Sequence, residues 1–410
     1  MKKYTMICGL ALFIILGTCI AFAENNKSEF TEYTSPRKFE ILIPQMLIDN
    51  AQKDTETIDV ISVTGGKVFF SQTQNSANRA TTSTAYYLQD LATGSTILIE
   101  NVQNQIFGVN TPAIIGDRYI YFTVGINTKI SSINSSIEKW DVELKLMCAD
   151  VYTGTMKEVN KVESKQPYLQ LNTVDQKNII LFDTGYSKDG VYYSKLDKLN
   201  VSNSSIENIT ICKIDEKNGE GEYICSVNSS NEKIYTLIQK TYKSSSDIKN
   251  KDINGNISEF RIDCMNANGK LLYSIDLSEI QDFFIDPYTK GYYNMIFDFR
   301  VEENTILLSD NLLNTIVIKF NEKKELDILY KGERLFSSEF INGVYLIDRV
   351  GGEQYLLSKK GLSKSKCWGM SDIGEVWDDE KGNTVLLQNV NDPLVGYIQN
   401  YYITSIKAKK

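Results

Sequence analysis

Residues 57–100 have the sequence TIDVISVTGGKVFFSQTQNSANRATTSTAYYLQDLATGSTILIE. Four short runs rich in β-branched and aromatic residues are separated by Gly65-Gly66, by a polar stretch, and by the turn from Asp90 to Gly94. Runs of this length and composition, bounded by glycine and polar residues, predict β-strands. The stretch therefore predicts a sheet of four antiparallel strands in which each strand follows its neighbour along the chain.

The second of these strands recurs along the whole chain. Its copies are KVFFS from Lys67, RYIYF from Arg118, NIILF from Asn178, KIYTL from Lys233, NTILL from Asn304, NGVYL from Asn342 and NTVLL from Asn383. One apolar strand precedes each copy and another follows it, and the weakest preceding strand is IGEVW from Ile373. Antiparallel repeats of this kind, with a period of some tens of residues, are typical of β-propeller blades.

We predict an all-β fold, a β-propeller of seven four-stranded antiparallel blades, over residues 39–410. Six or eight blades are the alternatives, because the unit at residues 334–370 has a poor fourth strand. The last unit reaches Lys410 without a fourth strand, whereas FEILI from Phe39 precedes the first unit without a partner. This N-terminal strand is therefore predicted to close the ring, which would cover two exposed sheet edges.

The first residues predict export. Lys2 and Lys3 precede an apolar run over residues 7–22 that ends in a small-x-small cleavage pattern, so residues 1–23 are predicted to be a signal peptide. The run is shorter than the roughly 20 apolar residues of a transmembrane anchor. We expect an extracytoplasmic protein, secreted or associated with the cell envelope, with a polar linker over residues 24–38.

A lipid anchor at Cys19 is the alternative interpretation of the N-terminus. The four residues Leu16-Gly17-Thr18-Cys19 resemble a lipobox, but Thr18 stands where that motif has a smaller residue.

Composition excludes several kinds of chemistry. The chain has no histidine, so Ser-His-Asp and Cys-His catalysis are excluded and the commonest metal ligand is absent. Its net charge of −8 disfavours nucleic acid as a partner. The five cysteines after the signal peptide are an odd number without tight spacing, so no disulfide framework or metal site is predicted. Two alternatives remain for Cys212 and Cys225: a disulfide between them, or two separate buried thiols.

The turns D-x-x-T-G at Asp90 and Asp150, together with the repeated hairpins, resemble those of the TolB-like and PQQ-type bacterial propellers. This resemblance implies a propeller fold and covers roughly residues 39–410. The PQQ-type repeat has a tryptophan after that turn, and here residues 95–100 and 155–160 contain none. No cofactor is therefore predicted.

Loop lengths predict two unequal faces. Long segments follow the second strand at residues 71–84, 123–142 and 239–258, and another follows a fourth strand at residues 278–292. Connections after second and fourth strands emerge on the same face of a propeller, and long loops in compact domains are often functional. The predicted binding residues on this face are Gln72, Arg79, Trp140, Asp183, Tyr186, Lys240, Tyr242, Phe283, Phe284, Tyr288, Asp310, Asn311, Asp348 and Arg349.

Simpler roles compete for these residues. Phe283 and Phe284 could pack beneath their own connection, as surface aromatic residues often do. Asp183, Asp310 and Asp348 could converge for acid–base or metal chemistry, but an aspartate after a strand is commonly a turn former.

A calcium loop is a further alternative, over residues 252–263. Its oxygen-bearing residues alternate as in such loops, but Ile257 stands where the motif needs glycine, so a plain hairpin tip is predicted.

The sequence favours a non-catalytic propeller that binds a protein or glycan partner through the long-loop face. One alternative is a carboxylate-dependent propeller enzyme, a hydrolase or lyase acting on glycans. Another is a structural or assembly factor of the cell envelope. No catalytic residue and no metal ligand is assigned.

Overall fold

The computed structural model describes residues 38–40, 56–75, 82–90, 92–107, 109, 112–128, 142–162, 164, 169–243, 256–285, 296–312, 314–332, 335–341, 344–349, 353–358, 361–364, 373–378, 384–391 and 399–406. For residues 38–40 and for those beyond residue 332, the description covers the backbone alone. Within these ranges the chain forms antiparallel β-strands and one short 3-10 helix, Gln281–Phe284.

The first half of the chain contributes one N-terminal strand that belongs to the sixth sheet and the members of three further sheets. The N-terminal strand is β1 (Lys38–Glu40). The first sheet consists of β2 (Glu56–Thr64), β3 (Lys67–Asn75), β4 (Thr82–Asp90) and β5 (Thr96–Gln103). The second consists of β6 (Gln105–Phe107), β7 (Ala113–Ile115), β8 (Tyr119–Asn127), β9 (Val142–Asp150) and β10 (Thr155–Val162). The third begins with β11 (Gln170–Thr173), β12 (Asn178–Lys188), β13 (Val191–Asn200) and β14 (Ser205–Asp215).

The second half completes the third sheet and adds three more. The third sheet continues with β15 (Gly221–Ser230), β16 (Lys233–Lys243), β17 (Asn256–Asn266) and β18 (Leu271–Asp276). The fourth consists of β19 (Ile296–Glu302), β20 (Thr305–Asp310), β21 (Thr315–Phe320) and β22 (Leu326–Gly332). The fifth consists of β23 (Leu335–Ile341), β24 (Val344–Arg349), β25 (Glu353–Ser358) and β26 (Gly361–Lys364). The sixth contains β27 (Ile373–Asp378), β28 (Thr384–Asn391) and β29 (Gln399–Ile406).

The ring closes through the N-terminal strand. The sixth sheet has the order β27-β28-β29-β1, so β1 is its outer strand. Phe39 lies opposite Ile403, and Lys38 lies opposite Thr404. A succession of four-stranded antiparallel meanders, completed at its end by a strand from the N-terminus, is the architecture of a β-propeller. The predicted fold class and ring closure are confirmed.

The third sheet joins what would otherwise be two blades. Its eight strands run in chain order from β11 to β18, and β14 meets β15 at a single described pair, Ile214 opposite Gly221. Dividing this sheet at that pair gives seven groups among the described strands, six of four strands and one of five, whereas the hydrogen-bonded sheets number six. The count of seven blades therefore stays a prediction.

Apolar clusters between neighbouring sheets form the core. The rings of Phe69 and Tyr86 in the first sheet pack on Phe122 in the second, with centroids 5.4–5.7 Å apart. The middle strands are apolar on both faces, and β20 is buried from Ile306 to Asp310, because a blade inside the ring has a neighbour on each side. The outer strands have a solvated side, so β5 is a mixture of exposed and half-buried residues.

Side-chain oxygens link the first strands of neighbouring groups. Thr173 Oγ1 in β11 donates to the Ile114 carbonyl of β7 at 2.9 Å, and Ser229 Oγ in β15 donates to the Thr173 carbonyl at 2.6 Å. Asn228 Oδ1 accepts a bond from the Val301 amide of β19 at 3.2 Å. These bonds satisfy backbone groups that no sheet ladder can satisfy across the gap between blades.

The strand boundaries correct the predicted loops. Strand β3 extends to Asn75 and β4 begins at Thr82, and similar extensions shorten the segments predicted at residues 123–142 and 239–258. The segment predicted at residues 278–292 contains the 3-10 helix. Polar residues near the strand ends were predicted to be loop because one solvated face gives a strand a polar alternation. No helix among the described residues is long and apolar enough to cross a membrane.

Candidate functional site

On the described part of the predicted long-loop face, β12 and β13 form a hairpin that extends beyond the first strand of their group. Strand β11 ends its pairing at Gln170, which lies opposite Phe182, so β12 continues from Asp183 to Lys188 without an inner partner among the described strands. Six strand residues span roughly 20 Å at about 3.3 Å each. We call Tyr192, Tyr193, Lys213 and Tyr223, near the end of this hairpin, the hairpin surface.

Local sequence explains the hairpin. Lys188 pairs with Val191 across the two-residue turn Asp189-Gly190, whose φ angles are 53° and 75°. Two central residues with positive φ form the turn that matches the twist of a β-hairpin, and Asp-Gly is a preferred pair there. A bulge between Asp183 and Tyr186 bends β12, and Gly185 in that bulge has a φ of 121°, which favours glycine.

The hairpin surface combines aromatic rings with a lysine. The rings of Tyr192 and Tyr223 lie 5.4 Å apart and 48° from parallel. Lys213 Nζ lies 5.5 Å from the centre of the Tyr193 ring, within cation–π range. Tyr192 and Tyr193 are consecutive in β13, so the two pairs lie on opposite faces of the hairpin. The β14–β15 joint brings Tyr223 to Tyr192. Burial raises the pKa of Tyr223 well above its ordinary value, so its hydroxyl stays neutral.

A charged cluster lies beside Tyr223. Arg261 donates to both oxygens of Glu222, at 2.8 and 3.0 Å, and its Nε lies 3.1 Å from both oxygens of Asp263. Ser274 Oγ donates to Asp263 at 2.6 Å. The guanidinium lowers the pKa of the Glu222 carboxyl, so Arg261 and Glu222 form an ion pair at neutral pH. Paired side chains of this kind hold a fixed shape in the absence of a ligand.

The adjoining ends of β16 and β17 supply another aromatic and charged pair. Lys240 Nζ lies 5.6 Å from the centre of the Tyr242 ring. The Tyr242 hydroxyl donates to the Glu259 carboxylate, and this bond raises the pKa of the tyrosine. Lys240 and Tyr242, both predicted from the sequence, therefore lie together in the structure.

Two of the predicted aspartates stabilise the local backbone. Asp183 Oδ2 accepts a bond from Ser164 at 2.7 Å and its Oδ1 accepts one from the Gly185 amide at 3.0 Å. Fully buried Asp310 accepts bonds from the amides of Leu312 and Asn314 at 2.9 and 2.8 Å. Asp183 thus stabilises the bulge inside β12, whereas Asp310 stabilises the turn that follows β20, as turn-forming aspartates do.

The remaining predicted residues are dispersed. Phe284 is 1% exposed in an apolar cluster, and Phe283 packs against the same cluster, 5.2 Å from Phe284. These positions favour the packing role over the binding role. Gln72 is 7% exposed within β3, whereas Asn311 is exposed just after β20.

Six predicted residues are described in part or not at all. Tyr186 lies in β12 opposite Tyr193, and Asp348 and Arg349 end β24; for these three only the backbone is described. Arg79, Trp140 and Tyr288 lie outside the described residues.

Sequence reasoning missed Tyr192, Tyr193, Lys213 and Tyr223. Tyr192 and Tyr193 were assigned to an ordinary third strand, and the short Asp189-Gly190 turn hid the length of the hairpin. The signal that could have found the hairpin is the Asp189-Gly190 pair flanked by Tyr186 on one side and by Val191, Tyr192 and Tyr193 on the other.

Metal and disulfide chemistry find no support in the described region. No group of three or more Cys, Asp or Glu side chains there is placed to hold a metal ion. Asp263, the last residue of the calcium-loop alternative, lies inside β17 and is paired with Arg261. Cys212 and Cys225 are free thiols in different apolar clusters, and burial raises their pKa values to about 11 and about 12. The disulfide alternative is thus not supported.

The fold places the chain among β-propeller proteins, and the candidate site lies on a face that carries an extended hairpin. No protein-family model and no curated protein matches the chain. Solved structures similar to it include an acylaminoacyl peptidase from Pyrococcus horikoshii, at 12% identity and a TM-score of 0.49 over 87% of this chain and 53% of that one. This chain thus spans about half the length of that peptidase.

Two further solved structures are similar over most of their length. An oligogalacturonate lyase from Vibrio parahaemolyticus has 11% identity and a TM-score of 0.44, over 86% of this chain and 97% of that one. The β-propeller domain of the Trilobed protease from Pyrococcus furiosus has 12% identity and a TM-score of 0.44, over 86% and 95%. At these identities the likenesses do not bear on the activity of this chain.

Proposed function

We propose that the chain is a non-catalytic, extracytoplasmic propeller that binds a protein or glycan partner through the hairpin surface. The observation that carries this proposal is a pair of contacts near the end of the extended hairpin: Tyr192 with Tyr223 on one of its faces, and Tyr193 with Lys213 on the other. Tyrosines with charged neighbours are enriched in recognition surfaces, because one end of the ring is apolar and the other forms hydrogen bonds.

Rigidity supports a binding role. The hairpin surface is built on paired strands, and the Arg261 cluster beside it is internally hydrogen-bonded. A surface that is already ordered loses less conformational entropy when it binds. The neighbouring carboxylates of Glu222 and Asp263 form ion pairs with Arg261. Carboxylates paired in this way favour a binding role over acid–base catalysis.

Features of the sequence support the proposed location and the proposed kind of partner. The predicted signal peptide favours a location outside the cytoplasm, and the net charge of −8 disfavours nucleic acid. The resemblance to TolB-like propellers, carried by the D-x-x-T-G turns, agrees with a role at the cell envelope.

Two probes test the proposal: an array of bacterial surface glycans, and a detergent extract of the envelope of the source bacterium. Each is incubated with immobilised chain over residues 24–410, either unaltered or carrying Tyr192→Ala, Tyr193→Ala and Lys213→Ala together. We expect the unaltered chain to retain a defined glycan or envelope protein, and the triple variant to lose at least about tenfold in affinity, as the loss of two aromatic anchors implies.

The matched control is Tyr152→Ala, because Tyr152 is 53% exposed but lies in the turn between β9 and β10, on the opposite face. This variant should bind as the unaltered chain does. Circular dichroism and melting temperature verify that both variants are folded. Equal binding by the triple variant and the unaltered chain would overturn the proposal, as would retention of nothing from either probe.

A further inference from the structure

The turn between β17 and β18 packs against the outer strand of the preceding group. Gly269 in this turn lies so close to β14 that a Cβ atom at Gly269 would stand 2.6 Å from Ile209 Cγ2. Its φ angle of 78° also favours glycine. This close approach places Asn268, the residue before Gly269, at the boundary between the two groups that share the third sheet.

The same kind of packing recurs at two earlier boundaries. A Cβ atom at Gly154, in the turn between β9 and β10, would stand 2.7 Å from Ile97 Cδ1 of β5. Asn160 Nδ2 of β10 donates to the Ser204 carbonyl, in the turn between β13 and β14, at 3.2 Å. The approach of turn and outer strand is therefore a repeated feature of the described strands, whereas the side chains that meet there differ.

An amine, a carboxamide and a carboxylate meet at the Asn268 turn. Lys198 Nζ lies 3.5 Å from Asn268 Oδ1 and 3.4 Å from Glu207 Oε2. Lys198 and Glu207 lie opposite each other in β13 and β14, so the sheet ladder holds the amine beside the carboxylate. The Lys198 side chain is only 11% exposed, so most of it is packed by protein. Three groups that can react with one another are thus held together across the boundary.

We propose that Lys198 and Asn268 join in an isopeptide bond that links β13 to the turn between β17 and β18. Glu207 accepts one proton from the Lys198 ammonium, and the lone pair of Nζ attacks Cγ of Asn268. The Nζ–Cγ bond forms, Glu207 gives its proton to Nδ2, and the Cγ–Nδ2 bond breaks to release ammonia. Nζ loses a second proton through Glu207 to that ammonia. One ammonium group and one carboxamide thus become a secondary amide and an ammonium ion, and nothing is oxidised or reduced.

The geometry favours this reaction over deamidation of Asn268. Holding amine and carboxamide together makes their reaction intramolecular, which raises the effective concentration of the nucleophile by orders of magnitude. Deamidation would need the Gly269 backbone nitrogen to attack the same carbon. That nitrogen donates to the Asn266 carbonyl at 2.8 Å, and this turn hydrogen bond opposes the attack.

The bond would strengthen the weakest described pairing in the third sheet. It closes a loop over residues 198–268, and cross-links that close long loops restrict the unfolded chain most. That loop contains the joint between β14 and β15, where the described pairing is Ile214 opposite Gly221 alone. The isopeptide bond would therefore hold together the two groups on either side of the joint.

The mass of the intact chain tests the proposal. The chain over residues 24–410 is purified after expression in a heterologous host, incubated folded at neutral pH, and denatured for mass spectrometry. We expect its mass to be lower by one ammonia than its sequence requires. Lys198→Arg keeps the positive charge and removes the nucleophile, so it should have the full mass. Glu207→Gln, at an exposed position, should form the bond at least about a hundredfold more slowly, since it lacks the acid–base group.

Lys195→Arg is the matched control. Lys195 lies in the same strand as Lys198 but pairs with Asp197 at 2.7 Å. This variant should lose ammonia as the unaltered chain does. Circular dichroism verifies that all three variants are folded.

Tryptic peptides locate the bond. Trypsin does not cleave after an acylated lysine, so the unaltered chain should yield one branched peptide that joins residues 196–213 to residues 262–270. Deamidation would instead make the chain slightly heavier and leave cleavage after Lys198 intact. Because the branched peptide comes from the unaltered chain, this result does not depend on the folding of any variant.

Two results would overturn the proposal: a full mass for the unaltered chain after prolonged incubation, or a loss of ammonia that persists in Lys198→Arg. The bond lies at the end of β13 away from the hairpin surface, so neither result bears on the proposed function. Failure of the proposed function would likewise leave the mass measurement intact.

Discussion

Asp150 stabilises its turn in two ways. Its Oδ1 accepts bonds from the amides of Tyr152 and Thr153, at 3.0 and 3.3 Å, and its carboxylate pairs with Arg118 at 2.7 Å. The first contact needs only a side-chain oxygen, because Asn200, Asn266 and Asn321 accept amide bonds at the equivalent turns. The second needs a negative charge. The sequence motif D-x-x-T-G thus combines a turn former with an ion pair that links adjacent strands.

Replacing Asp150 with asparagine should remove the ion pair and keep the turn. Arg118 lowers the pKa of Asp150 to about 2, from an ordinary value of 3.8. Because the folded pKa is the lower one, the stabilisation is complete above pH 3.8 and is lost as the pH falls through 2. We expect Asp150→Asn to cost less than about 1 kcal/mol at pH 7, because Arg118 is partly exposed.

The measurement is urea unfolding of both chains at pH 7 and at pH 2.5. The difference in the free energy of unfolding should shrink at the lower pH. Asp150→Ala is the control, because it also loses the two amide bonds and should stay less stable at both values. An unchanged difference for Asp150→Asn would show that the charge is not responsible.

At the level of single elements, apolar strands were predictable and their polar ends were not. Strand β20 is buried over Ile306 to Asp310, and burial on both faces requires a continuous apolar run, which its copy NTILL shows in the sequence. The distal half of β12, Asp183 to Lys188, is rich in polar residues and glycine and so resembles a loop in composition. Its strand character comes from pairing with β13, which local composition does not encode.

Dependence on tertiary pairing also limited prediction of the candidate site. Lys240 and Tyr242 were found because they follow an apolar strand, whereas Tyr223 was hidden within the first strand of a group. Tyr223 meets Tyr192 only because β14 and β15 pair at Ile214 and Gly221. No local pattern encodes that joint.

The bond from Ser229 to the Thr173 carbonyl links β15 with β11 and should contribute to the stability of the ring. Ser229→Ala removes the donor and leaves a partly buried carbonyl without it, which costs about 1 kcal/mol. Urea unfolding at pH 7 measures this difference. Ser187→Ala, at an exposed position near the hairpin turn, is the matched control and should change stability by less than about 0.5 kcal/mol. Equal stability of the two variants would contradict a linking role.

For the whole molecule, closure depends on few residues. Neighbouring sheets share apolar clusters, such as the one that joins β16 and β17 to β20 and β21. The sixth sheet has β1 as its outer strand, and the described pairing involves three residues opposite Tyr402, Ile403 and Thr404. An unpaired β29 would present a new edge to other molecules.

A chain that begins at Ile41 lacks β1 and should therefore be both less stable and less soluble than one that begins at Glu24. Three strand residues that lose hydrogen bonds worth about 1 kcal/mol each imply a melting temperature lower by roughly 5 °C. The exposed edge of β29 should also give dimers or larger species in light scattering coupled to gel filtration.

Residues 24–37 are absent from the shorter chain as well, so a third chain, beginning at Arg37, separates their contribution from that of β1. If the chains beginning at Arg37 and Ile41 melt together and both stay monomeric, β1 does not close the ring in solution. If only the chain beginning at Ile41 is destabilised and associates, three residues at one end of the sequence control whether the last sheet is a finished blade or an edge open to association.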